Sequence, residues 1–298
     1  MTIARLIAEQ PDWETRLGKL LEALSHRLAG NGAVERTICD ASGRRVVELQ
    51  CGGPTDPVHL NRMVAEYFPG CDALIAEGEI TMPALFVSDM DSTMIEQECI
   101  DELADYAGLK EQIAQITERA MQGELDFGDA LRERVGLLKG LDEAAIEQCL
   151  AERISPMPGA KTLVATLKAH GCRCVLVTGG FHHFGDRVAH DLGFDRVVGN
   201  RLGVADGKLT GLLAGPISDA STKLSVLREE AAVLGQGARV LSSGDGANDI
   251  PILEAADYGF AYRAKPAARS AANGRIDAGD LTHILDLLGV PRDRWVTG

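Results

Sequence analysis

From Ala84 onward the sequence alternates short apolar runs with amphipathic stretches, and that alternation leaves few folds open. The runs at 84–89 (ALFVSD), 172–178 (CRCVLVT), 238–243 (ARVLSS) and 258–263 (YGFAYR) have the length and composition of strands. Helical patterns separate them at 160–170, 222–234 and 250–256. Strands alternating with helices imply a parallel sheet covered on both faces, a doubly wound α/β architecture of Rossmann type. Residues 95–155 break the rhythm with near-continuous helix signal and no strand, so they are expected to form a helical cap inserted after the first strand of this unit. The stretch 204–211 (VADGKLTG) carries an Asp-Gly hairpin signal.

Residues 1–80 read differently from 81–298. Apolar residues at helical spacing cover 13–28, followed by a turn at 29–32. Two β-rich runs, 34–39 and 46–50, flank a polar turn at 41–44 and read as a hairpin, and a short helix is expected over 59–68. The segment is a small α+β unit without a cluster of candidate catalytic residues.

Charge excludes some partners. The chain has 30 basic and 44 acidic residues, a net charge of −14, and 4% aromatic residues. Nucleic acid or an anionic membrane would demand clustered Lys and Arg, and base stacking would demand aromatics. The seven cysteines are dispersed, without disulfide-framework or zinc spacing. The N-terminal stretch is too charged for a signal peptide, and no run approaches the roughly 18 apolar residues of a spanning helix. A reduced, cytoplasmic protein is expected; oligomeric state is not legible.

Chemistry concentrates where strands end. Asp89-Met-Asp91-Ser92-Thr93, Thr178-Gly179-Gly180 and Gly244-Asp245-Gly246-Ala247-Asn248-Asp249 each follow an apolar run. In open α/β sheets ligands bind beyond the carboxyl ends of the strands, so the three clusters are expected to share one crevice. Asp89, Asp91, Asp245 and Asp249 would repel one another there without a cation, and hard oxygen ligands suit Mg²⁺. Thr178 and its glycines offer a hydroxyl and close backbone N–H groups for phosphate oxygens, and Lys223, at a helix start, is able to reach the same oxygens. Asp89 and Asp91, two apart, can divide the roles of nucleophile and acid. His182-His183 lacks a third metal ligand and is expected to start a helix instead.

DMDST, VTGG, Lys223 and GDGAND, in that order, resemble the four motifs of the haloacid dehalogenase superfamily of phosphatases. With ITERAMQGELDFGDALRERVGLLKGL, NRL and DGKLTG, the resemblance narrows to the phosphoserine phosphatases and covers about 84–288. It implies a Mg²⁺-dependent hydrolysis of phosphoserine through an aspartyl-phosphate, with Asp89 as nucleophile and Asp91 as acid and later base. It implies that Asp89, the backbone carbonyl of Asp91, and Asp245 hold the metal, with Asp249 and Asn248 ordering its waters and loop. It implies that Thr178, Gly179, Gly180 and Lys223 hold the phosphoryl group, and that Glu98, Arg134, Met121 and Phe127 form the pocket for the serine moiety. The family usually has serine where this chain has Thr178; both supply the hydroxyl. Residues 1–80 lie outside the resemblance, at a place where some members carry ACT-like domains. Two alternatives stay open: a phosphatase or phosphotransferase for another small phosphorylated metabolite, and a binding protein with vestigial motifs.

Overall fold

The computed structural model describes residues 1–27, 34–39, 44–52, 55–121 and 124–297. The turn expected at 29–32 and most of that at 41–44 lie outside the described residues. The chain opens with β1 (Thr2–Ile7), α1 (Trp13–Arg27), β2 (Val34–Cys39), β3 (Val46–Cys51), α2 (Pro57–Tyr67) and β4 (Ala73–Glu77). These strands are antiparallel in the order β2-β3-β1-β4, the split β-α-β-β-α-β arrangement. The hairpin and both helices match expectation, whereas β1 and β4 were not anticipated. Nearly every position of both is buried, so neither shows the alternation of a half-buried strand.

There follow β5 (Leu85–Ser88) and four helices without an intervening strand: α3 (Cys99–Tyr106), α4 (Lys110–Met121), α5 (Phe127–Leu137) and α6 (Ala144–Arg153). The chain continues through α7 (Ala160–Ala169), β6 (Arg173–Phe181), α8 (His182–Leu192), β7 (Arg196–Asn200), β8 (Leu202–Ala205) and β9 (Lys208–Leu213). It ends with α9 (Ala220–Leu234), β10 (Val240–Gly244), α10 (Ile250–Ala255), β11 (Tyr258–Tyr262), α11 (Pro266–Ala271), β12 (Gly274–Ile276) and α12 (His283–Leu288). Strands β12-β11-β10-β5-β6-β7 are parallel, as expected of a doubly wound core. Strand order reverses between β5 and β10, which opens a crevice there.

The two strand sets form one ten-stranded sheet, joined where β4 runs antiparallel to β12. Because side chains alternate across a strand, each face can be followed separately. On one face Ile3, Ile7, Leu74 and Ala76 of the N-terminal strands share a core with Phe86, Leu176, Phe260 and the α12 leucines. On the other face the cores are distinct: Leu6, Leu49 and Ile75 pack under α1 and α2, while Leu85, Val87, Val175 and Val177 pack under α9 and α10. Polar contacts reinforce the junction. Buried Asp72 accepts from the backbone N–H groups of Asp277, Ala278 and Gly279 and lies 2.5 Å from His283 Nδ1. Arg275 donates to Cys71 O, and Arg5 to Leu287 O, both at 3.0 Å.

The helical insertion leaves and rejoins the core at adjacent points, where Ile95 bridges Pro156. The β8–β9 hairpin, foreseen from its Asp-Gly turn, also touches it: Leu209 N donates to Leu141 O and Gly140 N to Leu209 O, each at 2.8 Å. Cys51, Cys71, Cys99, Cys149, Cys172 and Cys174 are buried free thiols. Among the described residues, no helix is long and apolar enough to cross a membrane.

Candidate functional site

The three polar clusters do meet, because the strands that carry them are neighbours. β10 pairs with β5 and β5 with β6, and their carboxyl ends deliver Asp245, Asp89 and Thr178 to one cavity of about 230 Å³. Its lining includes Asp89, Asp91, Glu98, Phe127, Arg134, Thr178, Gly179, Gly180, Asp245 and Asn248.

Lys223 is placed by its helix. Asp219 caps α9 by accepting from Thr222 N (3.0 Å), and Lys223 follows in the first turn, fully buried. Its Nζ lies 2.7 Å from both Asp89 Oδ1 and Asp249 Oδ1. Asp249 is committed further: its Oδ2 accepts from Asp245 N (3.1 Å) and Gly246 N (3.0 Å). A Cβ on Gly244 would come within 2.5 Å of the Asp249 carboxylate, so the glycine is what allows that turn to close.

Negative charge at the centre exceeds what Lys223 balances. Asp89, Asp245 and Asp249 offer carboxylate oxygens within 4.8 Å of one another. Burial and then Asp249 push the Asp89 carboxyl well above the usual range, against the pull of Lys223. The same two causes push Asp245 up to about 6. Burial works against the Lys223 charge, but Asp89 and Asp249 outweigh it and hold its pKa above the ordinary value. Three clustered carboxylates sharing a single buried ammonium are the donor set of a divalent-cation site, so the trio fits a metal.

Asp91 stands apart from that trio. Its Oδ1 accepts from Cys99 N (3.1 Å) at the start of α3, and burial together with Glu98 pushes it up to about 7. A carboxyl with this pKa can serve as proton donor or acceptor near neutrality. Between them Ser92 takes a left-handed backbone (φ 54°) and donates to Glu98 Oε1 at 2.8 Å. The strained turn thereby ties the Asp89–Asp91 loop to the insertion.

On the opposite wall, Asp126 caps α5 through Asp129 N (2.8 Å). Phe127, Leu131 and Arg134 then fall on one helical face toward the cavity. Phe127 reaches the Thr178 loop: a Cβ on Gly179 would lie 3.2 Å from its Cζ. Half-buried Arg134 donates through Nε to Ala130 O (3.3 Å); burial lowers its pKa, while Asp101 and Glu98 favour its charge. Met121 ends α4, and its side chain lies outside the described residues.

The Thr178 loop bulges from the sheet. β6 and β7 match Val177 with Val198 and Phe181 with Asn200, so β6 has extra residues that loop out beside the cavity. Thr178 Oγ1 accepts from Gly180 N at 2.8 Å. Its methyl faces β7, where a Cβ on Gly199 would come within 3.0 Å of Cγ2. The Thr178 methyl is therefore accommodated by the glycine beside it, on the β7 side of the loop.

Four lining residues were not anticipated: Ile100, Leu131, Phe181 and Lys265. Leu131 had a signal, since it lies four residues after Phe127 on the same helix. Lys265, whose N donates to Asp245 O (2.9 Å) and whose Nζ is 3.8 Å from Asp245 Oδ2, had none. His182 pairs with Asp186 one turn on at 2.8 Å, in keeping with a helix start.

The sequence model of the haloacid dehalogenase-like hydrolases matches residues 86–254. A phosphoserine phosphatase of Albidiferax ferrireducens is 44% identical over 209 residues, 68% of this chain and 88% of the relative. A haloacid dehalogenase family hydrolase from Salmonella enterica serovar Typhi superposes with a TM-score of 0.83 at 29% identity, covering 97% of this chain and 99% of its own. A substrate-bound phosphoserine phosphatase superposes with a TM-score of 0.63 at 36% identity, covering 70% of this chain and 99% of its own.

Proposed function

The chain belongs to the haloacid dehalogenase-like hydrolases, and we propose that it is a Mg²⁺-dependent phosphatase converting O-phospho-L-serine to L-serine and phosphate. The observation that carries this reading is the cavity itself. Asp89 lines it with Lys223 buried directly behind, 2.7 Å from its carboxylate, the Thr178–Gly180 loop lies at its side, and Glu98 and Arg134 reach it from the helical insertion.

Asp89, Asp245 and Asp249, with the backbone carbonyl of Asp91, would hold Mg²⁺. Bound there, the cation offsets the carboxylate charge and so admits a phosphate dianion. Asp89 attacks phosphorus and forms an aspartyl-phosphate as the ester oxygen leaves. Asp91, with its carboxyl near 7, donates the proton that oxygen needs. In the second step Asp91 takes a proton from water, water attacks the phosphoryl group, and phosphate leaves with Asp89 regenerated. Lys223, Thr178, Gly179 and Gly180 hold the phosphoryl oxygens, and Asn248 orders the loop beside Asp245.

Arg134 presents a forked cation for the substrate carboxylate and Glu98 an anion for its ammonium, with Phe127 as an apolar wall. The insertion acts as a cap that excludes water during transfer. Residues 1–80 form an ACT-like unit fused to the catalytic sheet, and the protein works in the cytoplasm.

Phosphate release over a panel of phosphorylated amino acids and sugars tests the substrate. Phosphoserine should lead, and a clearly faster sugar phosphate would overturn the assignment. Arg134→Ala should lower kcat/KM for phosphoserine about 100-fold and leave a generic aryl phosphate within a few-fold. Equal losses on both would remove Arg134 from carboxylate recognition.

A further inference from the structure

The Thr178–Gly180 loop is held from behind by two buried polar side chains that line no part of the cavity. Asn200, at the end of β7 and 1% exposed, donates through Nδ2 to Gly179 O at 2.8 Å. Ser218, 4% exposed and just ahead of α9, donates through Oγ to Thr178 O at 3.0 Å. The two also grip each other: Ser218 N donates to Asn200 Oδ1 at 2.8 Å, and Asn200 Nδ2 lies 3.3 Å from Ser218 O. They flank the β8–β9 excursion, whose base is closed by Ala214 N donating to Arg201 O (2.8 Å).

We propose that Asn200 and Ser218 are positioning residues that set the phosphate-accepting geometry of this loop. Peptide planarity is the reason. The carbonyl of Thr178 and the N–H of Gly179 belong to one plane and point oppositely, so pinning the oxygen to Ser218 turns that N–H to the other side, toward the cavity. Pinning Gly179 O to Asn200 orients the Gly180 N–H in the same way, and that N–H donates to Thr178 Oγ1. A hydroxyl that already accepts there is left with its proton to give to a ligand oxygen. Two carbonyls that would otherwise face an anion are also taken out of its way. A bulge released from the ladder has lost the strand hydrogen bonds that would otherwise fix its peptide planes.

The inference rests on reading the loop as a phosphate site. Its test is calorimetric titration of inorganic phosphate into the Mg²⁺-loaded protein, with Mg²⁺ alone titrated separately. Ser218→Ala and Asn200→Asp should each weaken phosphate about tenfold, the worth of one buried hydrogen bond. Mg²⁺ affinity should hold, since neither residue touches the carboxylate trio. Ser218→Thr keeps the hydroxyl and should restore phosphate binding. KM for phosphoserine and for an aryl phosphate should rise by the same factor, unlike the selective loss in Arg134→Ala. Ser218→Ala removes one oxygen only and decides the matter if the Asn200 variant fails to fold. Wild-type phosphate affinity in folded variants, or parallel loss of phosphate and Mg²⁺, overturns the positioning role. Absence of phosphate binding by the wild type would instead refute the phosphate site itself.

Discussion

A single buried aspartate at the strand-set junction and a trio of aspartates at the cavity lie beside the same sheet and are balanced in opposite ways. At the junction of the strand sets, Asp72 receives three backbone N–H groups and the His283 ring. Burial opposes its charge, but those hydrogen bonds prevail and its pKa sits below 3.8. At the cavity, Asp89, Asp245 and Asp249 share Lys223, and burial leaves Asp89 and Asp245 with raised values. The residue type is the same, and Asp89 and Asp249 are as far removed from water as Asp72, with Asp245 partly buried. A carboxylate met by its own hydrogen-bond donors holds elements together, whereas carboxylates that outnumber the buried cation beside them form a candidate cation site.

The contrast can be broken in several places, beginning with catalysis. Asp89→Asn should lower kcat at least about 10³-fold, while Asp72→Asn leaves kcat within a few-fold in folded protein. Comparable losses from both would mean the junction is part of the reaction. For stability the ranking reverses. Asp72→Ala should cost about 3 kcal/mol in urea unfolding, because it strands His283 and three backbone donors. Asp245→Asn should be neutral or stabilising in metal-free protein.

Adding Mg²⁺ to about 100 times its dissociation constant should stabilise the wild type by about 2.7 kcal/mol, read as a rise in Tm. A double variant lacking both Asp89 and Asp245 should show no rise.

Acid separates the junction from the cavity by sign. Asp72, lowered on folding, contributes stability above 3.8 that is lost as pH falls below it. Asp245, raised on folding to about 6, destabilises when ionised, so in metal-free protein its site gains stability as pH falls from about 6 to 3.8. The slope is at most about 1.4 kcal/mol per pH unit, and comparing Asp72→Asn and Asp245→Asn with the wild type isolates each part. The smallest effect expected is steric. Gly199→Ala crowds the Thr178 methyl and should raise KM a few-fold, and Thr178→Ser in the same chain should relieve it. Failure of that rescue would mean the Thr178 methyl is not what Gly199 accommodates.

Much of the core was legible because its signals are local. Strand runs ending in Asp89, Thr178 and Gly244 needed only apolar patterning and the rule that ligands gather beyond strand carboxyl ends. The helical insertion was visible as unbroken periodicity over 95–155. The junction was not visible: β12 is three residues long, and its partner β4 lies about two hundred residues earlier. β1 and β4 hid for a related reason, being buried on both faces. Asn200 stood in the NRL segment without a readable role, and Ser218 was invisible because an isolated Ser between elements looks like turn chemistry. Lys265 looked like any surface lysine.

The sequence by itself determined which chemical groups are present and which strand ends present them, since periodicity and residue type are properties of neighbours in the chain. Only the tertiary structure decided charge balance and continuity. Whether a buried aspartate is satisfied depends on partners such as Lys223 for Asp89 and His283 for Asp72, more than a hundred residues away. Coulomb energy and hydrogen bonding fall off over a few ångströms of space and are indifferent to separation along the chain, so folding is what turned one aspartate into a fastener and three others into a site.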